Sequence, residues 1–386
     1  MSESHGPLAG LRILEIASIG PGPYCGMLLA DLGATVLRIE RDPRGDPNLP
    51  DDNPMLRGRG RIAVDLATTA GRELVLNLVE RSDALFEGFR PGVAERLGIG
   101  PDACTARNAR LVYGRVTGWG QEGPLARVAG HDLNYVALSG LLHLIGTQGG
   151  KPVPPLNVVG DFAGGGLWLA FGMVCALFEA QRSGRGQVVD AAMIDGVVSF
   201  LAPFFQTGPQ WGFDEAPGAS LLAGAAHYYD TYETADGEYV TVAAIEPRFY
   251  AELIERLGLD PDRYAGAGFP QAGPEVRARW RELKLELARV FRTRTRVEWC
   301  ELLEGTDVCF APVLKPSEAP AHPHHRARGT FITSDGIVQN APGPRFSRTA
   351  ARLPGSADPA RVLAEFGLEP DELTPLERAG TISLRP

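Results

Sequence analysis

Short apolar runs alternate with helical stretches over the first two hundred residues, and this alternation limits the fold more than any other feature. The apolar runs are Leu11–Ala17, Thr35–Glu40, Ile62–Leu66, Ala84–Phe89 and Leu111–Thr117. A helical stretch through CGMLLADLG follows the first run, and another at Ala70–Ser82 follows the third. Strands that alternate with helices pair in parallel through right-handed crossovers. The sequence therefore predicts an α/β domain with a mostly parallel, Rossmann-like sheet.

The turn after the first apolar run lacks the fingerprint of a dinucleotide site. Its letters, GPGP from Gly20 to Pro23, place prolines where GxGxxG needs open backbone and free N–H groups. We therefore expect no NAD in this domain.

The character of the chain changes near residue 205. A connector rich in glycine and proline precedes two alternating runs around Asp236-Gly237, which is a strong signal for a β-hairpin. Helical segments such as Val276–Phe291 follow. We expect a large domain over residues 1–204 and 325–386, a linker over residues 205–224, and a small α+β domain over residues 225–324.

Composition and charge exclude some classes of partner. The 386 residues are 44% hydrophobic and 22% charged, as in soluble globular proteins. The net charge is −9, and no segment concentrates enough cationic charge to follow a phosphate backbone. A nucleic-acid partner is not expected.

Cysteine and histidine patterns indicate no metal site and no disulfide framework. The five cysteines include no CxxC pair, and their odd number is typical of buried thiols in a reducing compartment. Proline interrupts the cluster of His322, His324 and His325, which has no acidic or thiol ligand at a suitable spacing. The first ten residues show no signal peptide, so we expect a cytoplasmic protein.

One uncharged stretch, Phe162 to Phe178, is near the lower length limit for a membrane span. Asp161 and Glu179 flank it, and glycines occupy its beginning. These features favour a buried core helix, and we expect no membrane partner.

Two candidate proton-transfer groups lie about thirty residues apart. His131 begins the amphipathic stretch HDLNYVALSG, and Asp161 precedes the glycine run. Imidazole and carboxylate are the side chains best suited to exchange a proton near neutral pH. If the fold brings them to opposite faces of one carbon, they can remove a proton on one face and return it on the other.

Each group also has a purely structural interpretation. His131 could cap a helix or lie on the surface, and Asp161 could be a helix N-cap. An N-cap position would lower the pKa of Asp161, and backbone N–H groups near Gly164–Gly166 would then be available to an enolate oxygen.

An ordered series of motifs extends from the N-terminus to about residue 315: GPGPYCGMLLADLGATVLRIER, GFRPGV, TGWGQEGP, GHDLNY, GDFAGGG, GQVVDAAM, YYDTYETADGEY and IEPRFY. The segment PRFSRT near Arg345 continues the series. Together these motifs resemble the α-methylacyl-CoA racemases, which belong to the class III CoA-transferases (CaiB/BaiF).

The resemblance implies a racemase without a cofactor, acting on 2-methyl-branched acyl-CoA thioesters whose CoA is part of the substrate. His131 and Asp161 would be the acid–base pair. Glu246 would bond the histidine from the other subunit of an interlocked homodimer. The resemblance implies CoA contacts at the adenosine end from Arg41, Val64, Asp65, Leu66 and Ala67, and along the thioester from Gly130, Asp132, Leu133, Asn134 and Tyr135. Arg96 is a candidate phosphate partner because the forked N–H groups of a guanidinium match phosphate oxygens.

Two other functions remain open at this point. In class III CoA-transferases the residue at the position of Asp161 is a nucleophile, and an aromatic residue is usual at the position of His131. An inactive CoA-binding protein is the non-enzymatic alternative. The presence of His131, Asp161 and Glu246 together favours the racemase, although Glu246 could be a surface charge and so could any of the arginines.

The sequence departs from the racemase pattern near the acyl site. Racemases commonly have DGGAP where this chain has AGAAH, which ends at His227, and a methionine-rich surface where this chain has the aromatic stretch Phe200 to Phe213. We expect a different acyl pocket, with a polar contact from His227.

Overall fold

A computed structural model describes residues 6–41, 49–205, 215–269, 274–355, 357–368 and 370–385. The chain divides into two compact units. The first comprises Met1–Ser139, Leu156–Ser199 and Gly329–Pro386, and the second comprises Gly140–Pro155 and Phe200–Arg328.

The expected domain limits differ from this division mainly at Gly140–Pro155, which we assigned to the large domain. In the structure Gly146 pairs with Pro152, and Gly218 packs closely on the backbone of Gly146. The bridge stays within the segment, and the contact from Gly218 joins the segment to the second unit.

The strands of the described chain are β1 (Arg12–Ile16), β2 (Thr35–Glu40), β3 (Arg59–Val64), β4 (Ala84–Glu87), β5 (Val112–Thr117), β6 (Val188–Ala192), β7 (Tyr229–Glu233), β8 (Tyr239–Ala243), β9 (Phe310–Pro312), β10 (Phe331–Ser334), β11 (Ile337–Asn340) and β12 (Ile382–Arg385).

The helices are α1 (Pro21–Asp31), α2 (Thr69–Val79), α3 (Val93–Arg96), α4 (Pro101–Arg107), α5 (Asp132–Leu138), α6 (Leu141–Leu144), α7 (Trp168–Ser183), α8 (Met193–Ser199), α9 (Pro247–Arg256), α10 (Pro261–Tyr264), α11 (Pro274–Phe291), α12 (Arg296–Leu303), α13 (Pro323–Arg328), α14 (Pro359–Glu365) and α15 (Pro370–Arg378). A π-helix over Val158–Leu167 leads directly into α7.

The sheet of the first unit has the described strands in the order β12-β3-β2-β1-β4-β5-β6. Strand β12 runs antiparallel to β3, and the other neighbours pair in parallel. The chain order reverses between β1 and β4, which makes their carboxyl ends the topological switch point where ligands of such sheets bind. The predicted mostly parallel α/β fold is confirmed.

Each face of the sheet covers its own apolar core. Leu14 and Leu37, which are neighbours in the register, face α2 and α14. Ile13 and Val36 alternate with them and face α1 and α7, because successive side chains of a strand point to opposite sides. The sheet is therefore held between two apolar cores, and its carboxyl edge has a defined position.

The second unit is an α+β structure with the sheet order β7-β8-β9. Strands β7 and β8 form the hairpin predicted at Asp236-Gly237, and Gly237 has a positive φ of 74°. Trp280, Phe291 and Trp299 from α11 and α12 pack in its core.

The uncharged stretch forms the end of the π-helix and the start of α7, but it is only half buried. Leu169, Met173 and Leu177 pack in the core, whereas Phe171 and Phe178 are 61% and 63% exposed. Within the described chain, Val158–Ser183 is the helical segment long and apolar enough to cross a membrane. The expectation of a buried core helix is correct for the face that carries Leu169, Met173 and Leu177 and wrong for the face that carries Phe171 and Phe178.

Candidate active site

A cavity of about 270 Å³ opens at the switch point of the first unit. Its walls come from the segments that follow β1, β4 and β5, together with the start of α5 and the π-helix. The lining residues are Ile19, Gly20, Pro21, Gly88, Phe89, Arg90, Pro91, Val116, Thr117, Gly118, Trp119, Ala126, Val128, Gly130, His131, Tyr135, Asp161 and Met193. His131 and Asp161, the two proton-transfer candidates, share this cavity.

His131 is the N-cap residue of α5, and its neighbours fix its backbone. The His131 N–H donates to Asn134 Oδ1 at 3.0 Å, and the carbonyl of Gly130 accepts from the Tyr135 hydroxyl. Trp119 packs edge-on against Tyr135 with ring centroids 4.7 Å apart. The imidazole itself is exposed, so its position is defined while its ring can reach a ligand.

Asp161 lies inside the π-helix and does not cap it, because Asn157 occupies the N-cap position. Asn157 Nδ2 donates to Asp161 Oδ2 at 3.0 Å. The carboxyl group also lies beside Gly20, where a Cβ would approach Oδ2 to 3.1 Å. Because the carboxyl packs so closely, a residue with a side chain would crowd it at this position of the turn after β1.

The pKa of Asp161 is raised above its ordinary value, and our expectation of a lowered pKa is wrong. Burial is the main cause; the hydrogen bond from Asn157 lowers the pKa, the charge of Asp132 raises it, and His131 lowers it. The π-helix places the carboxyl, half-buried, in a wall of the cavity, and this partial desolvation outweighs the hydrogen bond.

The glycine run does not contribute to the cavity wall. Gly164, Gly165 and Gly166 are buried, and added Cβ atoms would meet α1 and α8 at 2.6 to 3.0 Å. These glycines permit close helix packing, so the expectation that they hold an enolate oxygen is not supported by their position.

The other CoA candidates lie along the same edge of the sheet. Arg41 follows β2 and is exposed, and Val64, Asp65, Leu66 and Ala67 end or follow β3. These residues are outside the cavity wall, on the side of the sheet away from β4 and β5.

The structure places Arg90, and not Arg96, in the cavity wall. Arg96 lies in α3 and donates to the carbonyl of Gly92 at 3.0 Å. Arg90 follows β4 and is exposed at the cavity. Sequence reasoning missed Arg90, although it belongs to the motif GFRPGV and directly follows a strand predicted to end at this edge.

Of the residues implied along the thioester, Gly130, His131 and Tyr135 line the cavity, whereas Asp132, Leu133 and Asn134 do not. Asn134 caps the backbone of His131, and Leu133 is 42% exposed. Asp132 is buried, and its Oδ1 accepts from the Asp161 N–H at 2.7 Å.

Glu246 belongs to the second unit, where it is the N-cap residue of α9. It is exposed, and its side chain makes no capping hydrogen bond. Its carboxylate is therefore not used to stabilise its own helix.

His227 lies in the core of the second unit and is fully buried. Its Nε2 lies 2.7 Å from the Tyr250 hydroxyl, and its Nδ1 has no hydrogen-bond partner. The expected polar contact with an acyl group is wrong, because Tyr228, Tyr250 and Tyr264 surround the ring. Phe200 and Phe205 are exposed in this unit, Phe204 is half-buried, and residues 206–213 of the aromatic stretch lie outside the described residues.

Known proteins match this chain over most of its length. The profile of CoA-transferase family III matches residues 8–361. The α-methylacyl-CoA racemase of Mus musculus is 41% identical over 376 residues, 96% of this chain and 96% of the relative. The acetyl-CoA:oxalate CoA-transferase of Acetobacter aceti is 29% identical over 354 residues, 87% of this chain and 88% of the relative.

A solved structure has a similar fold over nearly the same length. The structure of a CAIB/BAIF family protein from Brucella suis superposes with a TM-score of 0.79 at 26% identity, covering 94% of this chain and 100% of that chain. The resemblance seen in the motifs is thereby confirmed. The chain belongs to CoA-transferase family III.

Proposed function

We propose that this protein is an α-methylacyl-CoA racemase, which interconverts the epimers of 2-methylacyl-CoA thioesters. The observation that carries the proposal is that His131 and Asp161 line one cavity at the switch point of the sheet. The 41% identity to the mouse racemase over nearly the whole chain supports it. A carboxyl and an imidazole facing one small space form a pair of proton acceptors and donors.

The proposed reaction transfers a proton through an enolate. One of the two residues takes the α-proton, and the electron pair of the broken C–H bond moves to the thioester oxygen. The other residue, which begins protonated, donates its proton to the opposite face of the same carbon. The raised pKa of Asp161 helps its acid role, because a buried carboxyl holds a proton at higher pH than an exposed one.

The cavity of about 270 Å³ is too small for a whole acyl-CoA and suits only its reacting end. The remainder would extend along the carboxyl edge, past Arg90 towards Arg41 and the segment Val64–Ala67. Ile19 and Val128, which are 60% and 51% exposed beside the cavity, offer apolar surface to the acyl chain. No cofactor is needed, since the thioester itself makes the α-proton acidic.

The proposal includes a homodimer in which Glu246 of one chain orients His131 of its partner. In favour are four exposed apolar side chains of the first unit, Leu156 at 78%, Leu167 at 51%, Phe171 at 61% and Phe178 at 63% exposure. A second copy would remove this surface from water. Five free thiols agree with the proposed cytoplasmic location.

The test is incubation of the protein in heavy water with a panel of enantiopure 2-methylacyl-CoA thioesters, followed by mass spectrometry and chiral analysis. We expect one deuterium at the α-carbon of both epimers, with no acceptor acid added. Transfer of CoA to an added carboxylic acid, with hydroxylamine trapping an acyl group on Asp161, would instead make the protein a CoA-transferase.

A further inference from the structure

The two proposed proton-transfer residues belong to separate helices that meet at a buried hydrogen bond. Asp132 is the first residue of α5, directly after His131, and it is only 7% exposed. Its Oδ1 accepts from the backbone N–H of Asp161 at 2.7 Å. A side chain adjacent to one reacting group thus holds the main chain of the other.

A glycine makes this contact possible. Gly160 precedes Asp161 and is buried, and a Cβ at this position would collide with the Asp132 carboxylate. The backbone of Gly160 has no positive φ, so an alanine there is disfavoured by the carboxylate and not by the backbone.

The remaining hydrogen bonds act within each helix. Asn134 and Tyr135 hold the peptide group that joins Gly130 to His131, and Asn157 holds the carboxyl of Asp161. These bonds orient His131 and Asp161 but do not set the distance between them. The bond from the Asp161 N–H to Asp132 also constrains that distance, because it joins the residue next to His131 to Asp161 itself.

We propose that Asp132 is a positioning residue whose carboxylate sets the spacing between His131 and Asp161 and acts on the reaction through Asp161. This inference rests on the proposed racemase function. A displacement of about 1 Å at a reacting group can lower a rate about 10²-fold. Loss of the Asp132 contact should lower the rate of inversion, which needs both residues, more than the rate of α-proton exchange by His131 alone.

The two epimers should therefore respond differently to loss of the contact. From the epimer whose α-proton faces His131, the enolate can form and take deuterium back from the same residue, giving exchange with retention. From the other epimer, removal of the proton itself depends on Asp161. A general loss of folding or of CoA affinity would instead lower exchange from both epimers together.

The experiment measures inversion and deuterium exchange from each pure epimer for the wild type, Asp132→Ala, Asp132→Asn and Gly160→Ala. We expect the inversion rate of Asp132→Ala to fall about 10²-fold. Its deuterium exchange should fall several-fold less from the epimer whose α-proton faces His131 than from the other epimer. Gly160→Ala should reproduce this pattern from the opposite side of the contact. Asp132→Asn keeps an acceptor oxygen and should restore about tenfold or more of the lost inversion.

The pH dependence gives a second readout. Because the charge of Asp132 raises the pKa of Asp161, the Asn variant should move the acidic limb of kcat/KM to lower pH for the epimer that Asp161 deprotonates. The matched control is Asp102→Ala, which removes an exposed first-turn aspartate of α4. It should change neither the exchange pattern nor the pH limb.

Equal losses of exchange from both epimers in Asp132→Ala, or inversion within threefold of the wild type, would overturn the positioning role. Absence of exchange and inversion in the wild type would instead reject the racemase function. The two failures are therefore distinguishable.

Discussion

Acidification should weaken the second unit through one buried side chain, His227. Burial lowers the pKa of His227 to about 3, with further lowering by Arg279 and Lys284. In the unfolded chain the pKa of a histidine is about 6.5. As the pH falls below 6.5, the unfolded state therefore binds a proton that the folded state does not bind.

The sign and size of the effect follow from this difference. The contribution of His227 to stability is fully present above pH 6.5 and is lost progressively as the pH falls towards 3. Each pH unit in this window costs about 1.4 kcal/mol. Between pH 7 and pH 5 the loss should be about 2 kcal/mol.

The substitution His227→Phe should remove this pH dependence and keep most of the packing. The ring is retained, the unpartnered Nδ1 is removed, and the Tyr250 hydroxyl keeps the carbonyl of Tyr264 as an acceptor at 3.2 Å. The same substitution at exposed His324 is the matched control.

Hydrogen exchange of peptides from β7 and β8, followed by mass spectrometry at pH 7 and pH 5, measures the opening free energy of this unit. We expect the wild type and His324→Phe to lose about 2 kcal/mol more than His227→Phe between the two pH values. Equal losses in all three proteins would refute the argument.

Three further outcomes are expected. Because burial raises the pKa of Asp161, its ionisation costs folded-state stability at high pH, so Asp161→Asn should melt above the wild type at pH 8. That difference should vanish below about pH 4, where the carboxyl is protonated in both states, and a higher wild-type melting temperature at pH 8 would contradict it. The double substitution Phe171→Ser and Phe178→Ser should lower the mass measured by light scattering from two chains to one chain of 41.4 kDa. The control Leu285→Ser, at a site 59% exposed in the second unit, should leave the mass at two chains. A wild type that is already a monomer would reject the proposed dimer. Glu246→Gln should lose less racemisation than His131→Ala, which should lose about 10²–10⁴-fold, and equal losses would remove the orienting role of Glu246.

The sequence predicts the first unit well where local pattern and topology agree. The strand Thr35–Glu40 has the predicted bounds, and the central parallel strands follow the predicted alternation. Strand β12 was missed because it pairs with β3 from more than three hundred residues away, and no local pattern reports such a partner.

The site shows the same division between local and tertiary information. His131 and Asp161 were chosen from their chemistry and motifs, and the fold places both in one cavity. The pKa of Asp161 was predicted in the wrong direction because burial within a π-helix depends on packing that the letters do not show. Arg96 was proposed because a guanidinium group suits phosphate, but residue type does not show which arginine reaches the cavity. Arg90 reaches it because it directly follows β4.

The central claim is that two different residues serve opposite faces of one α-carbon. The most direct measurement is α-proton exchange in heavy water from each pure epimer by His131→Ala and by Asp161→Asn. The account predicts complementary results, with each variant exchanging only the epimer whose proton its remaining residue removes, and neither variant inverting the centre at a wild-type rate. Loss of exchange from the same epimer in both variants, or near-normal inversion by either one, would contradict the two-base account.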